Sequence, residues 1–229
     1  MNSESRDALK QIELFRDMNE QDLAKIEQLL IRRSMMERMV IFMQGEPLEH
    51  VYFILSGKVK IYRNDEQGHE QIVNVLQAGD MFPHAGFFRQ GIYPAHSVML
   101  EKGVLLALPV SRFHALLESN PDLGIKMMSL MESKIVELQA RLQEMVMHDT
   151  FGRIVLLLSR LSRLHGVPAG DWTRIDVPFT NQELANMIGT SRETVNRTLS
   201  QLKKEGILDI TADHRLMIRM DQLEKQLHI

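Results

Sequence analysis

Cysteine is absent from the 229-residue chain. That excludes disulfides, iron–sulfur clusters held by thiolates, zinc sites built on Cys, and any thiol nucleophile. No apolar run approaches the ~18 residues that a membrane-spanning helix needs. The start, MNSESRDALK, is polar and mixed in charge, unlike a secretory signal. The expectation is a cytoplasmic protein with no membrane partner. Proline and glycine are also sparse, at 7 and 13, while 44% of residues are hydrophobic and 25% charged. Such a composition describes a globular chain, neither disordered nor fibrous. At ~100–200 residues per domain, its length suits one large domain or two ordinary ones. Methionine is abundant instead, with 16 copies, some at core-type positions where flexible thioethers fill irregular gaps.

The net charge of −3 is unevenly spread. Residues 1–149 carry 16 Lys and Arg against 21 Asp and Glu, whereas residues 150–229 carry 11 against 9. Arg192, Arg197, Lys203 and Lys204 sit near a single acid, Glu193. A basic segment in an acidic chain is compatible with nucleic-acid binding, and equally with a solvated face.

Hydrophobic spacing divides the chain into textures. Leu9, Ile12, Leu14, Leu23, Ile26, Leu29 and Leu30 recur at helical intervals, with a break near Asp17–Asn19. From Met39 to Leu108, short β-type runs alternate with Gly45, Gly57, Gly68 and Gly79, the rhythm of an all-β sandwich or barrel. In KVKIYR, Val59, Ile61 and Arg63 share one face and Lys60 and Tyr62 the other, and a hairpin should turn at Asn64–Gly68. An antiparallel β-roll is expected. Over residues 121–148, Met128, Met131, Ile135, Leu138, Leu142 and Met145 advance by 3, 4, 3, 4 and 3. That is an a/d seam, which predicts a two-stranded coiled-coil dimer interface; a helix packed on its own domain has a similar period. Beyond it, Arg153–Leu164 is helical, GVPAGD reads as a breaker, TRIDVPF as a short β-type piece, and Gly206–Met220 as a hairpin turning at Thr211–His214.

The informative stretch is FTNQELANMIGTSRETVNRTLSQLKKEG, residues 179–206. Thr180 with Glu183 forms a capping box that starts a helix at Asn181, and Gly189 ends it. Thr190 with Glu193 reads as a second box, starting another helix at once. Two helices joined by a tight Gly turn make a helix-turn-helix. At about 100° per residue, Val195, Leu199 and Leu202 fall within about 60° of one another, while Arg192, Glu193, Asn196, Arg197 and Ser200 occupy a separate polar arc. Their side chains suit base readout: Arg grips guanine O6 and N7, Glu accepts from cytosine N4, and Asn pairs with adenine. The candidate DNA contacts are Thr180, Asn181, Ser191, Arg192, Glu193, Asn196, Arg197, Ser200 and Lys203. Lys203 and Lys204 flank the reading face, where phosphate contacts are expected.

IGTSRETVNRTLSQLKKEGIL resembles the recognition region of the CRP/FNR family of bacterial transcription regulators. QGEPLEHVYFILSGKVKIYR followed by GHEQIVNVLQAGDMF is similar to that family's cyclic-nucleotide-binding-type β-roll, and residues 121–148 match its dimer helix in position. The resemblance implies an α+β chain in three parts. Residues 1–120 are a jelly-roll-type antiparallel sensor roll with N-terminal helices, 121–148 the dimerisation helix, and 149–229 a winged helix-turn-helix. It implies a homodimer on a palindromic, TGTGA-like DNA site, with Arg192, Glu193 and Arg197 at the base-contacting positions, and RNA polymerase as a further partner. The sensor departs from the pattern. Pro83–His84 stand where cyclic-AMP-binding members carry Gly-Glu, and Pro94–Ala95 replace Arg-Ser. Without its Arg, a cyclic phosphate loses a charge-assisted anchor, so cyclic AMP is not the expected ligand. Near that pocket His84, Tyr93 and His96 could bind a metal, a haem iron or the polar end of a small organic effector, or simply be hydrogen-bonded residues of the roll. The rival reading is a metal-dependent cupin-type enzyme with a helical C-terminal scaffold. A cupin should cluster His and Glu ligands, whereas His50, His69, His84 and His96 are widely spaced, with no HxH or HExxH and no nucleophile–base pair. Neither catalytic residues nor a metal site is expected.

Overall fold

A computed structural model of the chain describes residues 9–64, 68, 70–86, 88 and 91–227, without the side chains of residues 141 and 144–146. The polar start, His69 and the tip of the Asn64–Gly68 turn lie outside the described residues. The chain divides into two compact units, Met1–Val136 and Glu137–Ile229.

In the first unit, a 3₁₀ turn at Glu13–Phe15 precedes α1 (Glu20–Leu29), which is capped where the spacing broke: Asn19 Oδ1 accepts from the Asp22 N–H at 2.9 Å. Two four-stranded antiparallel sheets follow. One runs β1 (Ile31–Met35), β8 (Gly103–Pro109), β3 (His50–Ser56), β6 (Met81–Phe82). The other runs β2 (Val40–Phe42), β7 (His96–Met99), β4 (Val59–Asn64), β5 (Glu70–Leu76). The expected hairpin is present, with Asn64 registered against Glu70.

Strand β3 shows why VYFIL is apolar without alternation. Val51 and Phe53 enter a cluster with Phe15, Leu23, Ile26 and Phe113, the last from α2 (Val110–Ser119). Tyr52 and Ile54 enter a second cluster between the sheets, with Phe42, Phe82, Tyr93 and Leu105. Both faces of the strand are buried, so period 2 vanishes from its sequence. The sheet also begins earlier than expected. Strand β1 is an edge strand whose Arg32 and Ser34 are exposed, and IRRSM therefore carries no apolar run to betray it.

Helix α3 (Pro121–Met147) spans nearly the whole of the expected segment. Leu123, Met127 and Leu130 are buried in the first cluster. In the second unit, α4 (Thr150–His165) is capped by Asp149, whose Oδ1 accepts from Gly152 N–H at 2.8 Å. Its Ile154, Val155, Leu157, Leu158 and Leu161 are buried. The expected breaker GVPAGD is instead β9 (Gly166–Ala169) and a turn at Gly170, φ 63°, leading into β10 (Trp172–Ile175). Pro168 is tolerated because β9 lies on the sheet edge, in the order β11–β12–β10–β9. Strands β11 (Leu208–Ile210) and β12 (Leu216–Ile218) form the expected C-terminal hairpin. In its turn, Thr211 N–H donates to Arg215 O at 2.9 Å and His214 takes φ 60°. Buried Leu223 anchors α7 (Met220–Lys225). Among the described residues, no helix is long and apolar enough to cross a membrane.

Candidate nucleic-acid interface

Helix α5 (Asn181–Ile188) starts at the expected capping box: Thr180 Oγ1 accepts from Glu183 N–H at 3.1 Å, and Glu183 Oε2 from Thr180 N–H at 2.9 Å. It ends at Gly189, in the left-handed region at φ 66°, ψ 48°. The second box is corrected by one residue. Thr190 belongs to the turn that closes α5, its N–H donating to Ala185 O at 3.1 Å, and the next residue is the cap. Ser191 accepts from Thr194 N–H at 3.1 Å, and α6 (Arg192–Lys204) begins there.

The faces of α6 are those read from the angles. Val195, Leu199 and Leu202 are buried, joined by Thr198, and each large apolar group is worth ~1.5–3 kcal/mol of burial. Arg192, Glu193, Asn196, Arg197 and Ser200 are all exposed. Burial of one stripe therefore fixes the rotation of the helix and turns the candidate base-reading side chains outward. Asn181 Nδ2 donates to Asn196 Oδ1 at 3.2 Å, tying the start of α5 to the middle of that face. Lys203 is held by Asp209 of β11, Nζ to Oδ1 2.8 Å, and its ammonium keeps the Asp209 carboxyl below the usual range. One supporting residue has no signal in the local pattern. Arg153 of α4 donates to Ile188 O and Thr150 Oγ1, both at 3.2 Å, satisfying a last-turn carbonyl of α5 from 35 residues away in sequence.

The expected effector residues sit in three settings. Tyr93 is buried and stacks on Phe42 at 3.8 Å between ring centres. Its hydroxyl donates to His50 O at 3.1 Å and accepts from His50 N–H at 3.2 Å, and burial raises its pKa well above the usual phenol range. His96, half-buried on β7, stacks on Tyr62 at 4.9 Å, and its Nδ1 accepts from Gln44 N–H at 3.3 Å. His84 is half-buried in the turn after β6. Among the described residues, no group of three or more His, Asp or Glu could hold a metal ion. Of the expected seam, Met128, Ile135, Leu138 and Leu142 are exposed, while Met131 packs partly on its own domain. The Met145 side chain lies outside the described set.

Residues 32–120 match the family model of the cyclic nucleotide-binding domain, and residues 152–225 that of the Crp-like helix-turn-helix domain. The global nitrogen regulator of Synechocystis sp. is 34% identical over 175 residues, covering 75% of this chain and 77% of the relative. Among solved structures, the c-di-GMP responsive global regulator CLP of Xanthomonas campestris is similar in fold, with a TM-score of 0.74 at 19% identity over 87% of this chain and 99% of that one. A CRP/FNR family transcriptional regulator from Thermus thermophilus gives 0.71 at 20% identity, with coverage of 87% and 99%. With a nucleotide-binding-type roll, an outward recognition helix and these relatives, the chain belongs to the CRP/FNR family of DNA-binding transcription regulators.

Proposed function

We propose that the protein acts as a homodimer that reads a TGTGA-like palindrome and whose sensor domain responds to something other than cyclic AMP. The observation that carries the DNA reading is the exposed face of α6, with Arg192, Glu193 and Arg197 outward and Val195, Leu199 and Leu202 beneath. Arg192 and Arg197 contact guanines, and Glu193 accepts from a cytosine of the opposite strand. Two such faces related by a two-fold axis call for half-sites about one DNA turn apart, ~34 Å. Thr180, Asn181, Ser191 and Lys203 serve the backbone, where helix starts and ammonium groups favour phosphate.

Two observations support the rest. Phe82 and Tyr93 immediately precede the two departures from the nucleotide-binding pattern, Pro83–His84 and Pro94–Ala95, and both rings pack inside the roll with Phe42 and Tyr52. With Pro94–Ala95 supplying no guanidinium, the residues present do not suit a cyclic phosphate. The dimer reading rests on α3. Met128, Ile135, Leu138 and Leu142 are each more than half exposed, and Met128 and Ile135 line an open apolar groove of about 810 Å³ with Phe88, Leu117 and Met131. RNA polymerase is the proposed partner on DNA, in the cytoplasm.

Selection from random duplexes tests the reading. The protein should recover a palindrome, and Arg197→Ala should cost about 1–3 kcal/mol per half-site while relaxing one base pair. Identical sites of equal stringency from both proteins would remove Arg197 from base readout.

A further inference from the structure

The chain has no thiol, so the thioethers of its methionines are the sulfur available to a two-electron oxidant. Four of the 16 fall within nine residues, in MMERMVIFM, where β1 of one sheet leads into β2 of the other. Met35 is buried in the roll, whereas Met36, Met39 and Met43 are 58%, 43% and 49% exposed. The turn between the strands is tight: Met39 N–H donates to Met36 O at 3.2 Å, and Arg38 takes φ 64°. Arg38 N–H donates to Met99 O at 2.9 Å and Met99 N–H to Met39 O at 3.0 Å, which ties the turn to the end of β7. In that fixed frame Met36 N–H is aimed at a sulfur, donating to Met39 Sδ at 3.1 Å. Among the described residues, the Met36 and Met43 sulfurs accept no such bond.

We infer that Met39 is a modification site, oxidised to the sulfoxide by a hydroperoxide, and that the Met36 N–H makes it more reactive than its neighbours. With hydrogen peroxide, a lone pair of Sδ attacks one peroxide oxygen, and the S–O bond forms as the O–O bond breaks. Sulfur loses two electrons to the peroxide. The departing hydroxide takes the proton of the transferred oxygen and leaves as water. That oxygen becomes the negative end of a strong dipole beside the Met36 N–H. A neutral thioether is a weak acceptor and the sulfoxide oxygen a strong one, so the N–H bond strengthens as the reaction proceeds. A fixed donor that favours the reacted state over the starting state accelerates the step. The same bond withdraws some electron density from the starting sulfur, and the stronger bond to oxygen outweighs that loss. Met147 Sδ also accepts, from Gln143 Nε2 at 3.3 Å, but that amide is on an exposed side chain that can turn away. Methionine sulfoxide reductases return the sulfoxide to the thioether, so the change can be reset. The site lies in the first unit and uses no residue of the recognition helix, so DNA reading does not depend on it.

The test is limiting hydrogen peroxide on the folded, full-length protein, with tandem mass spectrometry placing the added oxygen. Met39 should gain oxygen about threefold faster or more than Met36 and Met43, although it is the least exposed of the three. In urea the N–H contact is lost with the fold, and the three rates should converge. Met36→Leu keeps the backbone N–H and should keep the fast rate at Met39. Met36→Pro lacks that N–H, and Met39 should then react no faster than Met43. If Met36→Pro does not fold, the comparison of native with urea-unfolded parent still decides the matter. Rates in the folded protein that follow exposure, with Met36 first, would overturn the site. A Met39 preference that survives urea, or survives Met36→Pro in a protein with the parent's circular dichroism, would overturn the role of the N–H.

Discussion

Replacing Ile135 and Leu138 together by Glu separates the fold of the chain from its assembly. Both residues are exposed in the single chain, at 56% and 57%, so the substitution removes little of the packing that holds one copy together. In a two-fold seam the uncovered half of each side chain would be buried. Full burial of such a group is worth ~1.5–3 kcal/mol, so each contributes ~1 kcal/mol, and four side chains across the seam ~4 kcal/mol. That alone weakens the dimer roughly a thousandfold. Four carboxylates brought together without cationic partners add a desolvation cost in the same direction. Sedimentation equilibrium should give a dimer for the parent and a monomer for the variant at the same micromolar loading. Far-UV circular dichroism should show that helix content is kept. A variant that sediments as the parent dimer, or a parent that is already monomeric, would refute the assignment of α3 as the seam.

Other expectations are independent of assembly. At Gly189, φ is 66° and a Cβ would meet open space, so Gly189→Ala carries only left-handed strain, about 1–2 kcal/mol by urea unfolding. Gly103→Ala should cost more, since its Cβ would overlap the Ser56 carbonyl, and equal losses would contradict this distinction. Burial first, and then the Arg33 charge, lower the His50 pKa beneath 6.5, against an opposing pull from Glu49. The unfolded chain binds that proton more readily, so the contribution of His50 to stability is complete above 6.5 and is lost as pH falls through the folded-state pKa. His50→Gln should flatten the fall in unfolding midpoint from about pH 7 to about pH 5, and an unchanged slope would place the titration elsewhere. Calorimetry with cyclic AMP should show no micromolar binding. Heat at that concentration, with tighter DNA binding to match, would return the nucleotide to the sensor domain.

Much of this organisation is local chemistry and was open to reading from residues alone. Thr180, Glu183 and Gly189 act within a few bonds of one another, so their box and their turn follow from residue type. The two faces of α6 follow from the helical period, and the β4–β5 hairpin from a polar break between strand-like runs. What failed had competing local solutions or lacked a local signal. Thr190 and Ser191 are both able caps; in the fold Thr190 belongs to the turn that closes α5, its N–H donating to Ala185 O, and Ser191 caps α6. Strand β9 reads as a breaker until β10 pairs with it and leaves Pro168 on an edge.

The sequence by itself determined the helix-turn-helix, the outward face of its second helix and the alternation of strands in the roll. Each depends on residues within one or two turns, or on a period that burial must respect. Only the tertiary structure decided that Tyr93 gives its hydroxyl to the His50 main chain, that Arg153 holds the end of α5, and that Asn181 reaches Asn196. Those bonds join groups 43, 35 and 15 positions apart, and a hydrogen bond acts over about 3 Å, so no pattern along the chain reports them until folding brings their ends together.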